Sequence, residues 1–236
     1  MRGLFITGTD TGVGKTWIAC QILHAMNQAG FSVGAYKPVC SGSLRDESGQ
    51  QHWEDLDELA AATRYRFPLE LIGPQRFAAA VAPPRAAGLE GRSVDEDLLV
   101  GGIEPWKKQV DYLLVEGAGG LLSPVSDTLS NLDLALKLGF PLLIVGRAGL
   151  GTINHSLLTI EVARSHGASL AGLLLNETTA EGSDLSRQFN VEDLSARTDC
   201  PVLGCWPFGG SATIDTNGLT VSVDWWNLFD LSLKVG

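Results

Sequence analysis

Two lysines and a few carboxylates carry most of the chemistry this sequence can do. Lys15 stands in Gly12-Val13-Gly14-Lys15-Thr16, after the apolar run Leu4-Phe5-Ile6 and before apolar positions at helical spacing, Ile18, Ile22, Leu23 and Met26. A buried strand, a glycine-rich turn and a helix start, in that order, make a phosphate-binding loop. The glycines let the backbone curl until successive N–H groups face an anion, and the helix start adds its positive dipole end. Lys15 supplies a mobile positive charge for the outer phosphates, and the Thr16 hydroxyl suits Mg²⁺. The usual spacing would put the first glycine at Thr9, whereas this chain has it one residue earlier, at Gly8.

The second lysine, Lys37, closes the apolar stretch at residues 31–36, and Pro38 stops that strand. A cation on the same rim as a triphosphate can neutralise charge that moves onto a transferred phosphoryl group. Ser41, four positions later, can hydrogen-bond a ligand. Glu116 ends the buried run Tyr112-Leu113-Leu114-Val115 and opens Glu116-Gly117-Ala118-Gly119-Gly120. Acid placed so holds Mg²⁺ directly or through water, and the glycines after it admit a ligand close to the backbone. Asp55 and Asp57 begin the next helix. Residues two apart on a helix face different sides, so one of the two at most points at the site. Asn176, after Leu173-Leu174-Leu175, can read a base edge, and Pro207 can close over the same base. Gly149-Leu150-Gly151 exposes N–H groups before a helix that starts at Thr152, a second anion site suited to a carboxylate. Arg147 reads equally well as a surface charge or an anion contact. The four histidines are scattered without metal or triad spacing.

These groups share one place only if the elements carrying them form a parallel sheet. Strand and helix signals alternate along the chain, and the strands are nearly continuous apolar runs. This predicts an α/β, three-layer fold, a mostly parallel sheet with helices on both faces, and ligands outside the carboxyl ends of the strands. The periodicity predicts helices over residues 15–28, 53–63, 132–138, 152–166 and 184–198. Ser93 with Glu96 reads as a capping box for a helix to about residue 110. Residues 40–52 read as a polar loop, 67–92 as irregular, 201–205 as a strand, and 221–233 as a C-terminal helix. No repeat or linker appears, so residues 1–236 form one domain by this reading.

The chain has 236 residues, 44% of them hydrophobic, with 17 Lys+Arg against 27 Asp+Glu and a net charge of −10. That acidity argues against nucleic acid and anionic lipid as partners. No apolar run is long enough to span a bilayer, and strand one begins too early to leave room for a signal peptide. Cys20, Cys40, Cys200 and Cys205 form no C-x-x-C pair and read as reduced thiols of a cytoplasmic protein.

Taken together, the residues resemble dethiobiotin synthetase, a P-loop NTPase-like family. The resemblance covers roughly residues 4–207. It rests on the stretch from Thr7 to Thr16, on Tyr36-Lys37-Pro38-Val39-Cys40-Ser41-Gly42-Ser43, on Val115-Glu116-Gly117-Ala118-Gly119-Gly120, on the stretch from Gly149 to His155, and on Gly172-Leu173-Leu174-Leu175-Asn176. The early Gly8 is the family's own form of the loop. The resemblance implies MgATP, CO₂ and 7,8-diaminononanoate as substrates. A carbamate forms on one amine, ATP phosphorylates it, and the second amine closes the ring in a step of biotin synthesis. It also implies catalytic roles for Lys15, Lys37 and Thr11. Gly12 through Thr16 with Trp17 would hold the phosphates, and Asn176, Glu177, Trp206, Pro207 and Phe208 the base. Thr16, Asp55 and Glu116 would hold Mg²⁺, with Asp55 preferred over Asp57 because Leu59 follows it as in the family pattern. Ser41 would meet the substrate, and Gly151 and Asn154 would take the substrate carboxylate of a neighbouring subunit, which implies a homodimer. Some members carry Glu where Gly12 stands, so that acid is absent here. Residues 77–84 match a substrate-lining region loosely, and the tail after Pro207 matches nothing. Two other readings fit the loop, a cobyrinate-type amidation synthetase and a partitioning-type ATPase switch. The first usually brings a glutaminase domain, for which there is no length. The second typically has an early second lysine where this chain has Thr9-Asp10-Thr11.

Overall fold

The computed structural model describes residues 1–180, 184–210, 213–216 and 219–229. Strand β1 (Arg2–Gly8) is buried from its second residue onward and feeds the glycine-rich turn and helix α1 (Lys15–Gln28). Strand β2 (Val33–Tyr36) is followed by β3 (Val39–Ser41) and the short strands β4 (Leu44–Arg45) and β5 (Gln51–His52). Next come α2 (Glu54–Ala62), α3 (Leu69–Ile72), β6 (Gln75–Phe77), α4 (Pro83–Leu89) and α5 (Glu96–Gly101). The central part consists of β7 (Tyr112–Gly120), α6 (Asn131–Leu138), β8 (Leu142–Arg147), α7 (Thr152–Ser165) and β9 (Leu170–Asn176). The chain closes with α8 (Asn190–Ser195), β10 (Val202–Trp206), β11 (Thr213–Thr216) and β12 (Leu219–Ser222).

The main sheet runs β12-β11-β10-β9-β8-β1-β7-β2. The six strands from β10 to β2 are parallel, whereas β11 and β12 pair antiparallel. Along β8 and β9 successive residues divide between two apolar clusters. Leu143, Val145 and Leu174 join the cluster holding Ile18 and Ile22 of α1. Ile144, Leu173 and Leu175 join the one holding Ile160 of α7 and Leu194 of α8. Strands covered on both sides need apolar residues at every position, which is why they read as continuous runs. The carboxyl ends of β1, β2, β7, β8, β9 and β10 share one rim.

Several predicted elements differ. Strand β7 does not stop at Glu116 but continues through Gly120, because Gly8 pairs with Gly120 beyond an irregularity. The helix expected after Ser93 is capped by Asp95, whose carboxylate accepts from the Leu98 N–H at 2.9 Å. The Gln75 amide fixes this choice by pairing with both the N–H and the carbonyl of Asp95, which holds that residue extended. The helix ends at Gly101, and a 3₁₀ turn follows over Glu104–Lys108. Residues 67–92 are not irregular but supply α3, β6 and α4, and β6 pairs with β3 in a separate two-stranded sheet. The helix expected over 184–198 breaks into a 3₁₀ turn, Leu185–Gln188, and α8. At the break the buried Asn190 side chain reaches back to the Gly149 carbonyl at 3.3 Å. The expected C-terminal helix starts instead as strand β12, rich in β-branched residues, followed by a 3₁₀ turn over Trp225–Phe229. Its remainder, residues 230–233, lies outside the described residues.

Candidate active site

At the end of β1 the loop turns through left-handed Gly12 (φ 71°) and Gly14 (φ 89°) into α1. A Cβ on Gly14 would stand 2.2 Å from the Asn176 amide nitrogen, so this glycine is required by space as well as by φ. Asn176, buried at the end of β9, donates that nitrogen to the Val13 carbonyl at 3.0 Å. Its carbonyl oxygen Oδ1 is buried without a partner among the described residues.

Below the loop a polar cluster forms from four elements. The Thr16 hydroxyl stands 2.9 Å from Asp55 Oδ1 and 2.8 Å from Glu116 Oε1. Lys37 Nζ donates to Glu116 Oε1 at 2.8 Å and to Asp55 Oδ2. Lys37 and Glu116 are buried, whereas the Asp55 side chain is half exposed. Burial alone would lower the Lys37 pKa, but the Glu116 and Asp55 carboxylates outweigh it, so the ammonium is held above its ordinary value. Burial likewise pushes the Asp55 carboxyl up, yet Lys37 and the hydrogen bonds from Lys37 and Thr16 bring it below the usual carboxylate range. Lys15 lies in the same basin, with Nζ 3.3 Å from the Asp10 carbonyl. Its burial, with Lys37 nearby, lowers its pKa against the pull of Glu116. Asp57 points elsewhere, 2.8 Å from His52 Nδ1. Of the two acids that begin α2, Asp55 is therefore the one in the cluster.

The cluster opens into a cavity of about 650 Å³. Thr11, Gly12, Gly14, Lys15, Thr16, Lys37, Ser41, Asp55, Glu116, Ala118 and Gly119 line it. Its far wall is Ala80-Val81-Ala82-Pro83, with Ser123 and Pro124. The Ser41 hydroxyl donates to the Val81 carbonyl at 2.6 Å, tying β3 to that wall. Residues 80–83 carry no functional groups, so only the loose match over 77–84 pointed to them. Cys40 also lines the cavity, and burial pushes its thiol up to about 12, so it is no nucleophile.

Beside the loop lies a second cavity of about 370 Å³. Its walls are Gly12, Gly14, Trp17, Asn176, Glu177, Thr178, Phe208 and Gly209. Trp17 and Phe208 are both largely exposed aromatics. Trp206 is fully buried behind this wall, and Gly117 packs under Asn131 rather than facing either cavity. Pro207 lines neither, but its carbonyl receives the Gly210 N–H at 2.9 Å. Gly151 and Asn154 stand exposed at the start of α7, outside both cavities. Arg147, Gly149, Leu150 and His155 instead line a recess of about 90 Å³ against Thr9, Asp10 and Val13. The Gly149-Leu150 turn is braced by Asp184, whose carboxylate accepts from the Leu150 N–H at 2.8 Å.

Two hydroxyl- and carboxylate-lined corners thus meet one anion loop. The oxygen donors Thr16, Asp55 and Glu116 suit a hard cation such as Mg²⁺, and Glu116 Oε2 is buried without a partner among the described residues. Among the described residues no three His, Cys, Asp or Glu side chains cluster as metal ligands, so a cation here would use two carboxylates and a hydroxyl.

A family model described as an AAA domain matches residues 2–213. An ATP-dependent dethiobiotin synthetase of Anaeromyxobacter sp. is 43% identical over 198 residues, covering 84% of this chain and 86% of that protein. Those of Rhodopirellula baltica and Caulobacter vibrioides are 38% and 36% identical, covering 84% and 89% of this chain and 81% and 96% of theirs. Among solved structures, the septum site-determining protein MinD of Pyrococcus horikoshii, complexed with Mg-ADP, is similar with a TM-score of 0.54 at 18% identity, covering 87% of this chain and 81% of its own. A ParA family ATPase of Chlorobium tepidum has a TM-score of 0.54 at 15% identity, covering 87% and 84%. At such identities these two show the fold alone.

Proposed function

The chain belongs to the dethiobiotin synthetase family, and from that premise we propose that it closes a ureido ring on 7,8-diaminononanoate, using CO₂ and ATP, in biotin biosynthesis. One amine nitrogen attacks CO₂ and loses a proton, giving a carbamate. A carbamate oxygen attacks the γ-phosphorus of ATP, the bond to the β-phosphate oxygen breaks, and ADP leaves. The second amine then attacks the carbonyl carbon of this carbamic-phosphoric anhydride, phosphate leaves, and a proton is lost as the ring closes. Carbamate is a weak nucleophile and the transferring group is highly anionic, so positive charge aimed at it is the main catalytic need.

The single observation that carries this reading is that Lys15 and Lys37 line one cavity together with Thr11 and Ser41. Lys15 and the loop amides would bind the phosphates. Lys37, kept protonated by its two carboxylates, would stabilise charge on the phosphoryl in flight. Thr11 and Ser41 would orient the carbamate. Thr16, Asp55 and Glu116 would hold Mg²⁺, which when bound offsets phosphate charge. In the smaller cavity the unpartnered Asn176 Oδ1 can accept from an exocyclic amino group, and Trp17 and Phe208 offer apolar faces to a base.

We read the enzyme as a cytoplasmic homodimer whose second subunit meets the substrate carboxylate with Gly151 and Asn154. Supporting this, both residues lie outside the cavities of their own chain, and Leu150 and Leu158 beside them are exposed. No helix among the described residues is long and apolar enough to cross a membrane. The partitioning-type and amidation readings are not favoured, since the relatives that cover most of the chain are dethiobiotin synthetases. The test is phosphate release from MgATP with diaminononanoate and bicarbonate supplied together and singly. Release is expected only with both. Turnover independent of the diamine, or none with both, contradicts the reading.

A further inference from the structure

The tail after Pro207 has no counterpart in the residues that carry the family resemblance, yet it ends in an aromatic cluster. Trp225 is buried, and its ring stacks on Trp206 with centroids 5.8 Å apart and 29° between planes. Trp226 meets Phe31 at 5.1 Å and Phe229 meets Tyr112 at 5.4 Å, which fastens the 3₁₀ turn to the body of the fold. The chain leaves β10 at Trp206, runs through β11 and β12, and returns to put Trp225 against the residue it left from.

Trp206 is the support of the turn that follows it. Its indole N–H donates to the Gly210 carbonyl at 3.3 Å, across a turn closed by Gly210 N–H to the Pro207 carbonyl. The Phe208 N–H donates to Glu177 Oε2 at 3.1 Å, and the Glu177 N–H donates to the Trp206 carbonyl at 2.9 Å. This turn supplies Phe208 and Gly209 to the smaller cavity. Pro207, Phe208 and Gly209 are all exposed, so the turn has no buried side chain to fix it. Its position depends on the backbone bonds, and these depend on where the Trp206 ring lies. Trp225 sets that position by packing alone, for its own indole N–H is buried without a partner among the described residues.

From this chain of contacts we infer that Trp225 is a positioning residue for the nucleotide base: the aromatic tail is a rear clamp that, through Trp206, holds the Pro207-to-Gly210 turn against the base cavity. The inference rests on the reading of that cavity as the base site of an ATP-using enzyme. The triphosphate is held elsewhere, by the loop and Lys15, so loss of the clamp weakens recognition of the base and leaves phosphate recognition as it was.

The experiment compares ATP with inorganic tripolyphosphate, which has the phosphates and no base. Trp225→Ala is expected to raise the KM for ATP by about two- to tenfold, the worth of one aromatic stacking contact. Its kcat, its KM for the diamine and its inhibition by tripolyphosphate stay at wild-type values. Trp225→Phe, which restores a ring and loses no hydrogen bond, returns the KM for ATP to near wild type. Trp206→Phe keeps a ring and removes the N–H, so it raises the KM for ATP while tripolyphosphate inhibition stays unchanged. If Trp225→Ala does not fold, Trp206→Phe decides alone. An unchanged KM for ATP overturns the inference, as does a parallel shift in tripolyphosphate inhibition, which would mean a general loosening of α1. If the wild type has no diamine-dependent turnover, the functional reading fails. Direct binding of ADP against tripolyphosphate by the same variants then still tests the clamp.

Discussion

Replacing Lys37 with Ala is expected to lower kcat by about a hundred- to a thousandfold, the usual cost of removing one preorganised group that meets developing charge. The KM for ATP changes little, because Lys15 and the loop amides keep the ground-state phosphates. The structure adds a second consequence. Lys37 is also the hydrogen-bonded cation of the buried Glu116, so its loss leaves a carboxylate without its partner. Breaking such a pair commonly costs about 3–5 kcal/mol, and here Thr16 and the nearby Lys15 remain, which puts the expected cost at the lower end. Thermal unfolding should therefore be measured beside the kinetics, with Lys37→Met as the variant that keeps the aliphatic stem. A folded Lys37→Met protein that turns over at near-normal rate removes Lys37 from the mechanism.

Lys15→Ala is expected to act differently, because Lys15 contacts the same phosphates in the ground state and in the transition state. A charge-assisted hydrogen bond is worth about 1.5–3 kcal/mol, which is roughly ten- to a hundredfold in binding. The transition-state share multiplies that, so kcat/KM falls by at least about a thousandfold. The KM for ATP rises together with the loss in kcat, which is the feature that separates this variant from Lys37→Ala. Equilibrium binding of ADP and steady-state rates measure the two parts. Unaltered ADP affinity in Lys15→Ala would mean that the loop amides alone bind the phosphates.

The parts of the site that the sequence makes legible are those at the ends of long buried strands. Continuous apolar runs mark β1, β7, β8 and β9, and the residue that breaks each run is conspicuous by type, as Lys15 after β1 and Asn176 at the end of β9 are. Glu116 is conspicuous for the same reason, although β7 continues past it. Chemistry that depends on tertiary placement is not legible. Nothing local separates Asp55 from Asp57; the difference is that His52 takes one and Thr16 with Lys37 takes the other. Nothing local says that the Asn176 amide nitrogen is spent on Val13, which leaves its oxygen for a ligand. The β3–β6 pair is too short for a periodic signal, and the wall at residues 80–83 is built of Ala, Val and Pro. Ser93 and Asp95 are both good helix caps; Gln75, distant in sequence, selects the second. In the tail, Val, Trp and Asn favour no regular helix, and the hairpin and clamp form because β10 and Trp206 offer them an edge and a ring.

The central claim is that ATP phosphorylates a carbamate, and the fate of a carbamate oxygen tests it most directly. In the proposed sequence the oxygen that attacks the γ-phosphorus leaves with the phosphate when the ring closes. Bicarbonate labelled with heavy oxygen, given with MgATP and 7,8-diaminononanoate for a time short against exchange with water, should therefore yield phosphate carrying one labelled oxygen per ring closed. Phosphate without label, released at the same rate as ring product, would mean that water or another group takes the phosphoryl, and would contradict the account.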